Sequence, residues 1–371
     1  MNELFKEFYD IASNPEAQFK KYKDAGKNVV LCAPVYTPEE IIHSMGAVPF
    51  GAWGADIALN ESKKYFPAFI CSIMQSILEL GMKGAYTGAK AIVIPSLCDS
   101  LKVLGENWKY AVKDIPFIPM TYPQNRKPEF GREYTKAGYE RVIADLEKAL
   151  GDKFDDAKLA ESIKIYNEHN AVMREFSKAV AKCEGISAKD RQAVFKSAWF
   201  MEKSEHTAMV KDLIIKINGC DCKQGAKVRI VTSGILADAP ELLNIFDEFG
   251  YHIVADDIAA ESRQYKTDTK VNGNALDALT NKFAEMDNCS VLYDPEKKRV
   301  NMIADLAKAN DAKGVVVVLT KFCDPEEFDY PLIKKACDKA GVACALIEVD
   351  RQMENYEQAR TILETFKDVI A

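Results

Sequence analysis

Residues 314–325 read GVVVVLTKFCDP, and residues 91–100 read AIVIPSLCDS. Each is an apolar run that ends in Cys-Asp. Consecutive β-branched residues of this length fit a strand buried on both faces of a parallel sheet. In open α/β sheets the reactive crevice lies beyond the carboxyl ends of the strands. Cys98 and Cys323, far apart in sequence, therefore both fall where such a fold keeps its chemistry.

Working outward, the first part of the chain alternates strand and helix. Residues 1–22 predict a polar-faced helix and 27–34 a strand that stops at Pro34. Thr37-Pro38-Glu39-Glu40 predicts a helix start, with Thr37 as N-cap, Pro38 as first helical residue and Glu40 closing a capping box. A glycine-rich strand and turn follows at 48–54. After Pro67, the residues Ile70, Ile73, Met74, Ile77 and Leu78 recur at helical spacing. Cys71 is thus expected in the first turn of a buried helix, where the macrodipole favours thiolate. Strands at 91–97 and 115–123 complete a parallel, doubly wound half.

From Pro128 to Ile217 helix signals follow one another, over 134–150, 156–181 and 188–218. A second α/β half has strands at 227–234, 251–257, 314–320 and 342–348. Its helices are expected from Pro240, over 274–286, 295–309 and 331–340, and over 353–369. The organisation predicted is a first α/β domain with an N-terminal helix (1–125), a helical insert (126–222) and a second α/β domain (223–371). Two similar halves imply a cleft between them.

Composition narrows the class. The 371 residues are 48% hydrophobic and 28% charged, as in an ordinary globular protein. The net charge of −7 argues against nucleic acid or an anionic membrane as partner. No apolar run approaches the roughly 20 residues of a membrane helix, and the start of the chain lacks a signal-peptide core. A cytoplasmic protein is expected. Ten cysteines with only four histidines point to thiol-metal chemistry or an anoxic cell, rather than a histidine-rich zinc site. Cys71, Cys98 and Cys323 have a reason to converge. Three soft thiolates suit an iron–sulfur cluster, and buried thiols filling core space are the alternative.

Several strings resemble the 2-hydroxyacyl-CoA dehydratase family: PVYTPEEIIHSMGAVPFGAWG (34–54), FICS (69–72), PSLCDSLK (95–102), VRIVTSG (228–234), KFCDPEE (321–327) and GVACALIEVD (341–350). They run in order across most of the chain. The resemblance implies two flavodoxin-like parallel-sheet domains with a [4Fe–4S] cluster in the cleft, ligated by Cys71, Cys98 and Cys323. It also implies the smaller, β-type subunit of a heterodimer, of the 2-hydroxyisocaproyl-CoA type found in leucine fermentation. The reaction implied is radical dehydration of an (R)-2-hydroxyacyl-CoA to the (E)-2-enoyl-CoA. One electron adds to the thioester carbonyl, the ketyl radical expels the 2-hydroxyl, and the electron returns. A larger α subunit and an ATP-dependent iron–sulfur activator protein are the implied partners. One departure stands out. Where the substrate-binding chain of the family carries a glutamate after Gly-Ala-x-Pro, this chain has Phe50-Gly51-Ala52-Trp53. The acyl-CoA and the acid–base work are therefore assigned to the partner. Benzoyl-CoA reductases and double-cubane reductases resemble the same family, and a scaffold subunit without redox role is the non-enzymatic reading.

Other residues weigh less. Cys32 ends a strand, and Cys220-Asp221-Cys222 is too tight for a metal loop. Cys337 and Cys344 fit core positions. His43 fits a structural partner, and Asp256-Asp257 helix capping as well as chemistry. Asp99 and Asp324 are expected to cap helices. Thr232-Ser233-Gly234 could offer N–H groups to a phosphate.

Overall fold

The Val315–Val318 run is buried at every position, which is what a strand flanked by helices on both faces requires. The computed structural model describes residues 2–220 and 227–370. Its first lobe contains β1 (Asn28–Cys32), β2 (Ala47–Gly51), β3 (Ala91–Pro95) and β4 (Phe117–Met120), all parallel, in the order β2-β1-β3-β4. The helices up to this point are α1 (Asn2–Ser13), α2 (Pro15–Asp24), α3 (Glu39–Ser44), α4 (Ser72–Met82) and α5 (Asp99–Ala111). Four helices follow: α6 (Glu129–Leu150), α7 (Asp156–Lys182), α8 (Ala188–Ser197) and α9 (Lys203–Gly219).

The second lobe repeats the topology. Its strands β5 (Val228–Gly234), β6 (Tyr251–Ile258), β7 (Gly314–Thr320) and β8 (Ala343–Val349) are parallel in the order β6-β5-β7-β8. Helices α10 (Pro240–Glu248), α11 (Ala275–Glu285), α12 (Lys298–Ala309), α13 (Asp324–Ala340) and α14 (Glu357–Ile370) surround them. Both sheets have the flavodoxin-like beginning 2-1-3-4, whose switch point lies between the first and third strands. One apolar core runs through both lobes, from Leu31 and Ile92 to Ile230 and Val318. Phe5 and Phe8 of α1 pack instead with Phe176 and Phe195 of the middle helices.

Four local expectations change. Asn14 breaks the first predicted helix, because its side chain accepts the Ala17 N–H at 3.1 Å and Pro15 follows as first helical residue. Thr37 does not cap α3; its hydroxyl donates to the Ala33 carbonyl at 2.7 Å, and Pro38 stands at the cap. The helix expected over 188–218 is two helices separated at 198–202. The helix expected from Pro331 begins at Asp324. Pro325 takes the early helical position, and Pro331 sits within the helix. Most of the Cys220-Asp221-Cys222 cluster lies outside the described residues; Cys220 is exposed. Among the described residues no helix is long and apolar enough to cross a membrane.

Candidate functional site

Three helices open on a cysteine. Cys71 is the N-cap of α4, Cys98 the N-cap of α5 just beyond β3, and Cys323 the N-cap of α13 just beyond β7. The strand-to-helix turn at the carboxyl edge of each sheet dictates the latter two positions. All three line one cavity of about 680 Å³ between the lobes, whose other walls include Leu97, Ile235, Val291 and Phe322. No histidine lines it. Phe322 has a left-handed backbone (φ 62°), an uncommon conformation for a bulky residue that turns the chain sharply before Cys323.

Burial outweighs the helix dipole at these thiols, against the expectation for Cys71. Desolvation pushes Cys71 up to about 12, although the N–H groups of Ile73 and Met74 oppose the rise. Cys98 is raised by burial against the N–H groups of Leu101 and Ser100. Cys323 is raised well above the usual thiol range by burial, then by Glu326 and by the other two cysteines. Left to itself the protein keeps these sulfurs protonated; a bound cationic centre is what deprotonates such thiols outright. Among the described residues no three His, Cys, Asp or Glu side chains gather around one point as a single ion requires. Cys71, Cys98 and Cys323 line the cavity together without a histidine, and soft donors of this kind are the type an iron–sulfur group takes.

No motif pointed to the arginines that frame this cavity. Arg351, just after β8, donates its backbone N–H to the Ser72 hydroxyl at 3.0 Å, next to Cys71. Its guanidinium pairs with Asp56 and Asp238, both at 2.9 Å, and so ties the lobes together. Behind Cys323, Arg263 and Arg299 hold Glu326 and Asp257 in a fully buried network. Gly234 belongs to this wall: a Cβ there would lie 2.2 Å from the Val318 carbonyl oxygen, and its own carbonyl accepts from Arg263 at 2.9 Å.

A second cavity of about 90 Å³ lies near the end of β1, lined in part by Trp53, Trp199, Glu39 and Lys203. Trp53, which ends the acid-free stretch Phe50-Gly51-Ala52-Trp53, is buried and stacks on Trp199 at 5.0 Å. The carboxylates nearby are engaged: Glu39 pairs with Lys203 at 3.1 Å and Glu40 with Lys282 at 2.7 Å.

The remaining candidates are structural. Cys32 is buried away from the large cavity, its thiol directed at the Val30 carbonyl. Cys337 is in the second-lobe core and Cys344 packs against it. His43 Nδ1 meets the Ser162 hydroxyl at 2.9 Å. Asp256 accepts the N–H groups of Ile258 and Ser262 and pairs with Arg191. Asp257 belongs to the arginine network. Asp99 and Asp324 are first residues of their helices rather than caps. Thr232-Ser233-Gly234 is the end of β5 and is paired with β6 on one side and β7 on the other, so its backbone belongs to the sheet, and the Ser233 hydroxyl is taken by Arg299 at 2.9 Å.

Two parallel α/β lobes with three cysteines lining one cavity between them define a class of two-lobed α/β protein. Sequence comparison gives the family: the chain belongs to the 2-hydroxyglutaryl-CoA dehydratase D-component family, a hydro-lyase family whose profile matches residues 34–370. It is 45% identical to the (R)-phenyllactyl-CoA dehydratase beta subunit of Clostridium sporogenes, over 100% of this chain and 99% of that one. It is 40% identical to the lactoyl-CoA dehydratase beta subunit of Anaerotignum propionicum, over 99% and 98%. Identity to one of the benzoyl-CoA reductase subunits of Thauera aromatica is 24%, over 94% and 92%. The family expected from the motifs is the family found.

Proposed function

We propose that this chain is the β-type subunit of a 2-hydroxyacyl-CoA dehydratase, and that Cys71, Cys98 and Cys323 hold a [4Fe–4S] cluster. The observation that carries the reading is that these three thiols, from both lobes, line one cavity. When bound, such a group supplies one-electron transfer. The chain's own residues then have separate tasks. The three cysteines offer sulfurs at helix N-termini, where backbone N–H groups offset part of the burial penalty on the charged form. Leu97, Val291 and Phe322 surround the site with apolar surface. The stretch Phe50-Gly51-Ala52-Trp53 offers no acid, Trp53 stacks on Trp199, and the adjoining 90 Å³ is far below the roughly 300–1,000 Å³ of a typical ligand pocket. The acyl-CoA therefore belongs mainly to a larger α subunit, and an ATP-dependent activator delivers the first electron.

The identities favour dehydration over reduction, 45% against 24%. (R)-2-Hydroxyisocaproyl-CoA is the substrate to try first, beside the phenyllactyl and lactoyl thioesters. ATP consumed far below one per turnover supports an electron that is recycled; stoichiometric ATP and reductant point to a reductase. The ligand assignment is tested by anaerobic co-purification with the partner, comparing Cys98→Ala with wild type for iron and sulfide. Loss of this chain's share of both is expected. Undiminished iron removes the assignment.

A further inference from the structure

The turn that presents Cys323 rests on an ion network that the cluster assignment does not by itself require. Glu326, three residues on, is fully buried. Its carboxylate accepts from the Ser290 hydroxyl at 2.7 Å, from Arg263 at 3.2 Å and from Arg299 at 2.8 Å. Arg299 continues to Asp257 at 2.7 Å and Asp329 at 3.0 Å, while Lys266 and Lys297 pair with those two aspartates at 2.7 Å each. Three carboxylates thus face four cations. Ser290, Lys297 and Cys323 all line the large cavity, so the network forms its second-lobe wall. Buried ion pairs of this kind are a poor source of net stability compared with apolar packing. Their distinct property is a fixed charge, little screened by water or salt.

We propose that Glu326, whose backbone N–H donates to the Cys323 carbonyl at 3.0 Å, is a positioning residue for Cys323 and, with Arg263 and Arg299, sets the charge against which the cavity's redox group is reduced. This rests on the cluster assignment above. Adding one electron makes that group more negative. Removing the Glu326 charge therefore eases reduction, and removing a network cation hinders it. A role in folding alone has no such sign.

The test uses the anaerobically purified complex, following the EPR signal that Cys98→Ala abolishes. Glu326→Gln keeps an acceptor for Ser290 but not the charge; Glu326→Asp keeps the charge. Lys297→Gln removes a cation whose side chain is 46% exposed, so the fold tolerates it. With iron content unchanged, Glu326→Gln is expected to raise the midpoint potential, Glu326→Asp to stay near wild type, and Lys297→Gln to lower it by less. Equal potentials in all four proteins, or Gln variants shifting in the same direction, overturn the inference. If Glu326→Gln fails to fold, Lys297→Gln decides alone, and an unmoved potential overturns the proposal. If the wild type carries no signal that depends on Cys98, the cluster assignment fails first and takes this inference with it. A Cys98-dependent signal with unmoved potentials sinks only the charge role.

Discussion

Replacing Arg351 by Met removes the clasp between the lobes. Arg351 is 6% exposed, and its guanidinium neutralises Asp238 while also donating to the Trp53 carbonyl at 3.2 Å. Asp238 shows what that is worth. Burial acts to raise its carboxyl, yet Arg351 first and Lys196 second bring it down to about 2 from 3.8. A depression of that size corresponds to about 2 kcal/mol. Leaving a buried charge without its partner typically costs about 3–5 kcal/mol. The low end applies, since Lys196 still holds Asp238 at 2.7 Å and Asp56 is partly in water. An unfolding entropy of roughly 2.1 cal/mol/K per residue turns about 3 kcal/mol into a Tm drop of roughly 4 °C. Arg360→Met is the control. Its two-point contact with Glu248 lies at the surface, where water and salt screen the pair and it contributes little. The pH dependence sharpens the test. A depressed carboxyl stabilises the fold above its unfolded pKa, and that contribution fades as pH falls through 3.8 toward 2. Because the variant has lost most of this contribution, its Tm gap to wild type should narrow between about pH 5 and about pH 3. A drop no larger than the control's, or a gap constant across that range, refutes the reasoning.

The left-handed backbone at Phe322 is less accessible still to a β-branched residue, so Phe322→Val should lower stability beyond the strain Phe322 already carries. Phe322→Gly should relieve the backbone while opening the cavity wall; thermal unfolding showing Val tolerated as well as Gly would contradict this. Buried histidines set the mildly acidic limb. Desolvation lowers His206 to about 3, His252 to about 4 and His169 well below 6.5, so unfolding takes up protons as pH drops below about 6.5. Glu261, pushed up to about 7 by burial, works against one of them. A net uptake of about two protons gives roughly 3 kcal/mol lost per pH unit near about pH 5.5. A Tm unchanged between about pH 7 and about pH 5 would exclude this.

What was legible in the sequence is what local pattern controls. The Val315–Val318 run can only be a strand covered on both faces, and the residue that ends such a strand is committed to the carboxyl edge by topology. That Cys98 and Cys323 would face the cleft was therefore readable before any coordinates, and Cys71 was readable as a helix start; the structure places all three on one cavity. Thr37 misled because its capping pattern competes with a carbonyl four residues back, and the hydroxyl went there. Arg263, Arg299, Arg351 and Trp199 left no trace, since each takes its meaning from a partner distant in sequence: Glu326 for Arg263, Trp53 for Trp199, Asp56 for Arg351.

That division has a physical cause. Placing a sulfur at a helix N-terminus recruits the backbone itself, because the free N–H groups of the first turn belong to every helix and need no particular side chain. A cysteine after a buried strand is thus a candidate for the carboxyl edge but not a certain one, since Cys32 also ends a buried strand and lies outside the large cavity. Balancing charge behind that sulfur cannot be done by backbone. It needs side chains long enough to reach across lobes and to stay ionised when buried, which arginine does and lysine resists. The ligands of such a site are accordingly written in short motifs, while the residues that tune it are scattered wherever the fold happens to bring a guanidinium within reach.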